Sequence, residues 1–171
     1  MAAPLCDAAE VGDMAEVRRL VEGGRNVNER GRFRWTPLMR AAERGHSDIV
    51  RYLIQQGSEL FLVDDFGINS FMMAASCGHH TTVELLLHHG AALNYVDSDG
   101  MTALMWAAWC NRPQCVRLLL DQGAKLNARD NDGQTAQDWA NMTDENGEVA
   151  RILRDEAKKS KFFRWFAQTH S

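Results

Sequence analysis

The segment Thr102-Ala103-Leu104-Met105-Trp106-Ala107-Ala108 occurs in altered form at two earlier positions of this 171-residue chain. Thirty-three residues before it stands Asn69-Ser70-Phe71-Met72-Met73-Ala74-Ala75, and thirty-three residues before that stands Thr36-Pro37-Leu38-Met39-Arg40-Ala41-Ala42. Each copy begins with a side chain that can cap a helix, continues with apolar residues and ends with paired alanines. This pattern predicts a helix that begins after Thr36, Asn69 or Thr102 and packs closely against its neighbours.

Glycine columns extend the same 33-residue period in both directions along the chain. A first column predicts tight turns between copies, because glycine adopts the positive φ that such turns need. A second column predicts the end of the first helix in each copy, with asparagine as a substitute that tolerates the left-handed region. A third predicts the end of a second helix, whose apolar residues recur at spacings of three and four. The columns are Gly67, Gly100 and Gly133; Gly12, Gly45, Gly78 and Asn111; and Gly24, Gly57, Gly90 and Gly123.

The period predicts an all-α solenoid of about five stacked helix pairs, in which three internal copies lie between two end copies. One valine column passes through all five copies: Val17, Val50, Val83, Val116 and Val149. The first copy lacks a preceding turn, and the last has residues 144–145, Asp and Glu, where the second and third copies have glycine and histidine. These departures predict polar caps at both ends. We therefore expect a repeat domain over residues 1–157 and a basic, aromatic tail over residues 158–171.

Turn, helix and helix with a 33-residue period resemble the ankyrin repeat, whose signature is T-P-L-H-x-A. The three segments quoted above carry this resemblance, which extends over about residues 3–157. It implies a non-catalytic module that binds other proteins, as an adaptor or as an inhibitor subunit. Methionine stands in place of the signature histidine at Met39, Met72 and Met105. We expect this exchange to remove a side-chain hydrogen bond while it keeps an apolar side chain in the same position.

The composition restricts the class of protein further. The formal net charge of −4 argues against a dedicated nucleic-acid-binding protein, because such proteins usually carry an excess of basic residues. The sequence shows neither a secretory signal nor a run of about 18 apolar residues. Four cysteines follow neither a zinc spacing nor a dense disulfide framework, at Cys6, Cys77, Cys110 and Cys115. These features predict a soluble, monomeric protein of the cytoplasm or nucleus with free thiols.

Motifs for phosphate binding, nucleophilic catalysis and H-E-x-x-H zinc chemistry are missing from the sequence, so we predict neither an enzyme nor a cofactor. His46 and His79 follow the glycine of one column, which favours a structural role in the stack. The alternative is a zinc site built from the cysteine and histidines within residues 77–80 and 88–89, although this spacing matches no established site.

The resemblance to ankyrin proteins implies that a partner lies along the concave face, against the turn tips and the variable positions of the first helices. Four of the five tryptophans of this chain fall at such positions. Exposed aromatic side chains of this kind often dominate the binding energy of a protein interface. The predicted partner-binding residues are Arg32, Phe33, Arg34, Trp35, Arg44, Phe66, Ile68, Met73, Met101, Trp106, Trp109 and Trp139.

Trp106 and Trp109 lie three residues apart and so share one helix face. One interpretation is an exposed binding patch, and the alternative is packing between neighbouring copies. Residues 105–108 also resemble the corresponding stretch of ankyrin proteins that hold short proline- and leucine-containing peptides, which implies an extended peptide as the ligand. The arginines near the second copy form either a solvated surface or a site for an acidic or phosphorylated end of that ligand. We expect such an end to lie toward Arg32 and Arg44.

The tail combines cationic and aromatic residues, at Lys158, Lys159, Lys161, Phe162, Phe163, Arg164, Trp165 and Phe166. Such a composition favours docking on the last repeat, binding to a partner, or contact with an anionic membrane surface. A peripheral membrane protein that uses this tail is therefore the alternative to a purely protein-binding module.

Overall fold

The computed structural model describes the backbone of residues 3–169 and the side chains of residues 3–161. Within that range the chain forms ten α-helices in five consecutive pairs, which confirms the predicted all-α solenoid. A short 3-10 helix, Arg32–Arg34, precedes the third α-helix. The pairs are α1 (Pro4–Val11) and α2 (Met14–Glu22), α3 (Pro37–Arg44) and α4 (Ser47–Gln55), α5 (Ser70–Cys77) and α6 (His80–His88), α7 (Ala103–Trp109) and α8 (Pro113–Asp121), and α9 (Ala136–Asp144) and α10 (Glu148–Thr169).

The first helices of the internal copies begin where the sequence predicts. Thr36 Oγ1 accepts a hydrogen bond from the Met39 amide at 3.2 Å, and Thr102 Oγ1 accepts one from the Met105 amide at 3.3 Å. The amides of the two threonines in turn donate to Met39 Sδ and Met105 Sδ, both at 3.4 Å. The prediction that methionine loses a side-chain hydrogen bond here is therefore wrong for these two copies, because the thioether sulfur serves as a weak acceptor.

The left-handed glycines and Asn111 occur in the predicted columns. The first three first-helices end at Gly12, Gly45 and Gly78, whose φ angles are 83°, 75° and 87°. Asn111 adopts a φ of 54° in the fourth copy, one residue after the helix cap at Cys110. Asparagine tolerates this region because its short polar side chain can hydrogen-bond locally.

The paired alanines set the distance between copies. They are fully buried at Ala41, Ala42, Ala74, Ala75, Ala107 and Ala108. Because a methyl side chain takes little room, the first helices α1, α3, α5, α7 and α9 contact one another more extensively than the second helices do. The first helices therefore form the more closely packed layer of the stack, which is called the inner layer below.

A histidine of the following copy caps the C-terminal end of two first helices. His46 Nε2 lies 3.1 Å from the carbonyl oxygen of Glu10, and His79 Nε2 lies 2.9 Å from that of Glu43. Both rings also cover the left-handed glycine of the earlier copy, where an added Cβ would collide with them. These contacts confirm the structural role predicted for the two histidines.

The last copy differs from the others at its inter-helix loop and in the length of its second helix. Glu145, which follows α9, keeps a helical φ of −56°, so the modified loop predicted at residues 144–145 is confirmed. Helix α10 crosses the boundary predicted between residues 157 and 158, and the predicted tail therefore begins inside a helix. Among the helices of the described chain, none combines the length and the apolar character needed to cross a membrane.

Candidate functional site

An aspartate organises each of the two last turns and also holds a tryptophan of the inner layer. Asp97 Oδ1 accepts hydrogen bonds from the amides two and four residues later, at 3.0 and 2.9 Å, while Asp97 Oδ2 accepts one from Trp106 Nε1 at 2.7 Å. Asp130 bonds the equivalent amides, and its Oδ2 accepts from Trp139 Nε1 at 2.8 Å. Both aspartates are buried, so these bonds couple the turn to the position of the indole.

The third copy has the same turn aspartate but no tryptophan of its own to bond. Asp64 Oδ1 accepts two turn amides, each at 2.9 Å, whereas Met73 stands nine residues later in place of an indole. Asp64 Oδ2 instead accepts from Trp35 Nε1 of the second copy at 3.1 Å. Trp35 is therefore positioned by the turn of the neighbouring copy.

A cavity of about 140 Å³ lies on the inner layer between Trp35 of the second copy and Trp106 of the fourth. It spans the third copy, whose Met73 is only 5% exposed. Its other lining residues are Ile68, Met72, Glu43, Ser76 and Cys77. The arrangement offers two indoles with mainly apolar side chains between them, which is the surface that an apolar side chain of a ligand would fill.

The tryptophan ridge, formed by Trp106, Trp109 and Trp139, continues the inner layer beyond the cavity. The ring of Trp109 lies 5.2 Å from the ring of Trp106 at an angle of 40°, and 5.2 Å from that of Trp139 at 43°. Trp109 is 44% exposed, whereas its two neighbours are half-buried. The ridge thus combines the two interpretations: its rings pack between copies, and its centre faces solvent.

The turn of the second copy is built on strained backbone. Gly31 stands in the column of the turn aspartate, and Arg34 stands in that of the turn glycine. Phe33 and Arg34 have φ angles of 58° and 61°, which costs non-glycine residues roughly 1 kcal/mol each. Phe33 is 50% exposed, and the guanidinium of Arg32 lies 4.6 Å from its ring. Strain of this kind is typical of functional segments.

The arginines of α3 are engaged within the protein. Arg44 Nη2 lies 2.7 Å from Glu10 Oε1, and Arg40 Nη1 lies 3.4 Å from Glu10 Oε2 while its guanidinium covers the ring of Trp35 at 4.2 Å. The hydrogen bond from Arg44 lowers the pKa of Glu10. Arg44 thus pairs with a carboxylate of the same chain while 51% of its side chain stays exposed, and its contact with an acidic end of the ligand stays a prediction. Arg32 pairs with no acidic side chain within residues 3–161.

Other predicted residues fall into different places. Met101 is 4% exposed, so its inclusion among the surface contacts is wrong. Phe66 is 62% exposed at the turn tip of the third copy. The tail side chains from Phe162 onward, which include Phe163, Arg164, Trp165 and Phe166, lie outside the described residues. Lys158 and Lys159 pair with acidic side chains three residues earlier on α10, and Lys161 is exposed. Membrane contact through the tail stays a prediction.

The structure also bears on the zinc alternative and on the thiols. His79 Nε2 contacts the carbonyl oxygen of Glu43, and the described residues contain no group of three or more histidine, cysteine or acidic side chains that could hold a metal ion.

Burial raises the pKa of Cys6 to about 12 and that of Cys115 to about 11. These two thiols are therefore protonated and poorly reactive near neutral pH.

Sequence reasoning missed the residues that hold the indoles in place. Asp97 and Asp130 stand nine residues before Trp106 and Trp139, and this repeated spacing was the available signal. The bond of Trp35 to an aspartate of the next copy, across 29 residues, leaves no such pattern within one copy.

The comparisons with known proteins agree with this architecture. A family model described as ankyrin repeats in three copies matches residues 2–64 and 56–130. The chain belongs to the ankyrin-repeat family. Ankyrin repeats are in general modules for protein–protein interaction, and the fold is typically non-catalytic. A search of curated proteins finds none that matches this ankyrin-repeat protein.

Proposed function

We propose that this ankyrin-repeat protein binds an extended segment of a partner protein along its inner layer and acts as an adaptor or inhibitor subunit. The observation that carries the proposal is the cavity of about 140 Å³ between Trp35 and Trp106. Pockets that enclose a whole small ligand usually measure roughly 300–1,000 Å³. A cavity below that size suits one apolar side chain, which would anchor the segment.

Preorganisation of the two indoles supports this proposal. The buried carboxylates of Asp64 and Asp97 hold Trp35 and Trp106 through their Nε1 atoms before any ligand arrives. Side chains that are already ordered lose less conformational entropy on binding, so more of the contact energy contributes to affinity. Anchors in such pockets commonly dominate the energy of an interface.

The second-copy turn is the proposed site for an acidic or phosphorylated residue of the same segment. Arg32 is exposed, and Arg34 Nε lies 3.9 Å from Asp65 Oδ1, which is too long for a strong ion pair. Both guanidinium groups can therefore bind a carboxylate or a phosphate in a bidentate manner. The exposed ring of Phe33 between them adds apolar contact area.

A peptide selection tests the proposal. Random twelve-residue peptides displayed on phage would be selected on the wild-type protein, and the affinities of the selected peptides would be measured by calorimetry. We expect peptides with one aliphatic or aromatic anchor, and Trp106→Ala should weaken their binding at least tenfold, about 1.4 kcal/mol, as for an interface hot spot.

The control is Phe61→Ala, which truncates an exposed aromatic side chain outside the cavity lining. It should leave the affinities within about twofold of the wild-type values, as expected for a surface change away from the site. Thermal melts of both variants would verify that they are folded. A library that yields no binder, or binders that ignore Trp106→Ala, would contradict the proposed function.

A further inference from the structure

The two ends of the inner layer carry opposite charge. Residues 25–44 contain six arginines and two glutamates, whereas residues 97–145 contain eight acidic and four basic residues. The exposed carboxylates at the turn tips and at the end of α9 are those of Asp99, Asp132, Asp144 and Glu145. Fixed charges of one sign set the local potential and select the charge of a partner. The exposed charged side chains are therefore basic at the second-copy turn, Arg32 and Arg34, and mainly acidic at the last two turn tips and the end of α9.

Three of the four basic side chains in residues 97–145, the arginines, are directed elsewhere, and the fourth, Lys125, is exposed. Arg112 Nε donates to the carbonyl oxygen of Ser76 at 2.9 Å, on the preceding copy. Arg117 Nη2 lies 3.0 Å from Glu148 Oε1, which joins the second helices α8 and α10. Arg129 donates to the carbonyl oxygen of Gly133 within its own turn. No ring contact joins any of these guanidinium groups to an indole of the ridge, within the described side chains.

The ridge itself is a surface suited to a cation. Trp106 and Trp139 both donate their Nε1–H groups to buried carboxylates, at 2.7 and 2.8 Å. A negative acceptor at the N–H increases the electron density of an indole, and the face of an indole attracts cations more strongly than the rings of tyrosine and phenylalanine do. Trp109 lies between these two rings and exposes 44% of its surface. The most exposed indole among residues 3–161 therefore lies in an acidic part of the inner layer.

We infer that the exposed part of the Trp109 indole binds a lysine or arginine side chain of the partner segment. This inference rests on the proposed function and adds an order of charges to the ligand. The segment is acidic toward Arg32, apolar at the cavity between Trp35 and Trp106, and basic over Trp109. Rings only 5.2 Å apart leave no gap between them, so the cationic side chain lies across the ridge and does not insert into it.

The experiment uses the peptides selected on the wild-type protein. Among those whose binding depends on Trp106, we expect a lysine or arginine on one defined side of the anchor. Replacing that lysine by norleucine, which keeps the aliphatic chain and removes the charge, should weaken binding about three- to tenfold. Raising the salt concentration should reduce this difference, because the surrounding carboxylates are screened.

Protein variants locate the cation. Trp109→Leu should abolish the preference for lysine over norleucine, whereas Trp109→Phe should retain part of it, since phenylalanine also has a cation-binding face. Met142→Ala, at another exposed apolar residue of the fifth copy, should leave the preference unchanged. The peptide comparison on wild-type protein keeps the test valid if the Trp109→Leu variant does not fold.

The outcomes separate this inference from the proposed function. Peptides that need Trp106 but contain no basic residue overturn the inference and leave the proposed function standing. Peptides with proline at the position expected for the basic residue do the same. A lysine preference that survives in Trp109→Leu assigns the cation to the acidic side chains alone and also overturns it. A library without any binder overturns both.

Discussion

The inner layer holds its tryptophans in two different ways at its two ends. In the fourth and fifth copies the turn aspartate bonds an indole of the same copy, and the turn contains a glycine with φ of 79°. In the second copy that aspartate is replaced by Gly31, the glycine is replaced by Arg34, and Trp35 bonds Asp64 of the next copy. In the fourth and fifth copies the turn therefore positions an indole of its own copy, whereas Trp35 of the second copy is positioned by the turn of its neighbour.

The two kinds of turn also differ in their contacts with neighbouring copies and in their backbone strain. Amides of later turn tips donate to carbonyls of the preceding tip, from Ser98 to Phe66 at 3.0 Å and from Asn131 to Asp99 at 2.9 Å. At the second-copy turn, strained backbone instead presents Phe33 with arginines on both sides. Because Asp64 accepts an indole from the preceding copy, Trp35 comes to face Trp106 across the cavity.

The largest expected effect comes from removing the turn aspartates. Asp97→Ala and Asp64→Ala should each lower the free energy of unfolding by about 3 kcal/mol, because each leaves two turn amides and one indole N–H without an acceptor. Urea titrations would measure the loss. Asp99→Ala, at an exposed position of the same turn, should stay within about 0.5 kcal/mol of wild type.

Indole N–H signals in ¹⁵N-resolved NMR spectra would distinguish the two arrangements. Asp64→Ala should shift the signal of Trp35, while Asp97→Ala should shift that of Trp106. If the Trp35 signal does not move in Asp64→Ala, the turn of the third copy does not position Trp35.

Substitutions of different tryptophans should separate the binding of the apolar anchor from the binding of the basic residue of a peptide. Trp35→Leu is expected to weaken all selected peptides about tenfold, since it removes one wall of the cavity. Trp139→Leu should weaken only the peptides that carry a basic residue, by about threefold, because it alters the ridge and not the cavity. Calorimetry with one lysine peptide and its norleucine counterpart provides both measurements. Equal losses in the two variants would contradict separate subsites.

Relieving the strained turn should stabilise the protein. Arg34→Gly is expected to raise the free energy of unfolding by up to about 1 kcal/mol, since glycine adopts positive φ without steric cost. Arg32→Gly is the matched control. It removes the same kind of side chain from a residue whose φ is not positive, so it should not raise the free energy of unfolding. Urea titration measures both. A gain in Arg32→Gly as large as that in Arg34→Gly would show that charge, not backbone strain, limits this turn.

A bound peptide should protect one thiol. Cys77 lines the cavity, so its alkylation by iodoacetamide should slow several-fold when a selected peptide is present. Cys6 and Cys115 should react slowly with or without peptide, because burial raises their pKa to about 12 and about 11. Mass spectrometry of the digested protein would report each site. Unchanged alkylation of Cys77 would place the peptide outside the cavity.

The smallest expected effect is the pH dependence of the Glu10–Arg44 pair. The pKa of Glu10 is lowered from 4.5 in the folded protein, so its contribution is present above that value and is lost as the pH falls through the folded pKa. Glu10→Gln should cost a few tenths of a kcal/mol at pH 7 and almost nothing at strongly acidic pH. Urea titrations at both pH values would measure the difference. A larger loss of stability in acid than at pH 7 would show that the ionised carboxylate of Glu10 does not stabilise the folded protein.

The sequence allowed many residues of the proposed binding surface to be predicted, but not the contacts that hold them. Trp35, Trp106, Trp109 and Trp139 were recognised from their columns, and all four lie on the inner layer. Met101 occupies a comparable column position and is buried, because its neighbours in the stack cover it. Periodicity therefore assigned residues to a layer without showing which of them reach solvent.

Helix ends, left-handed residues, the number of copies and the family follow from local patterns in the sequence. Capping, side-chain spacing and the conformational freedom of glycine act over a few residues. The 33-residue period repeats these local signals in several copies, which makes them easy to recognise. The pairing of Trp35 with Asp64, that of Arg44 with Glu10 and the cavity between two indoles depend on the stack. They join groups 29 or more residues apart, and such contacts exist only once neighbouring copies have packed.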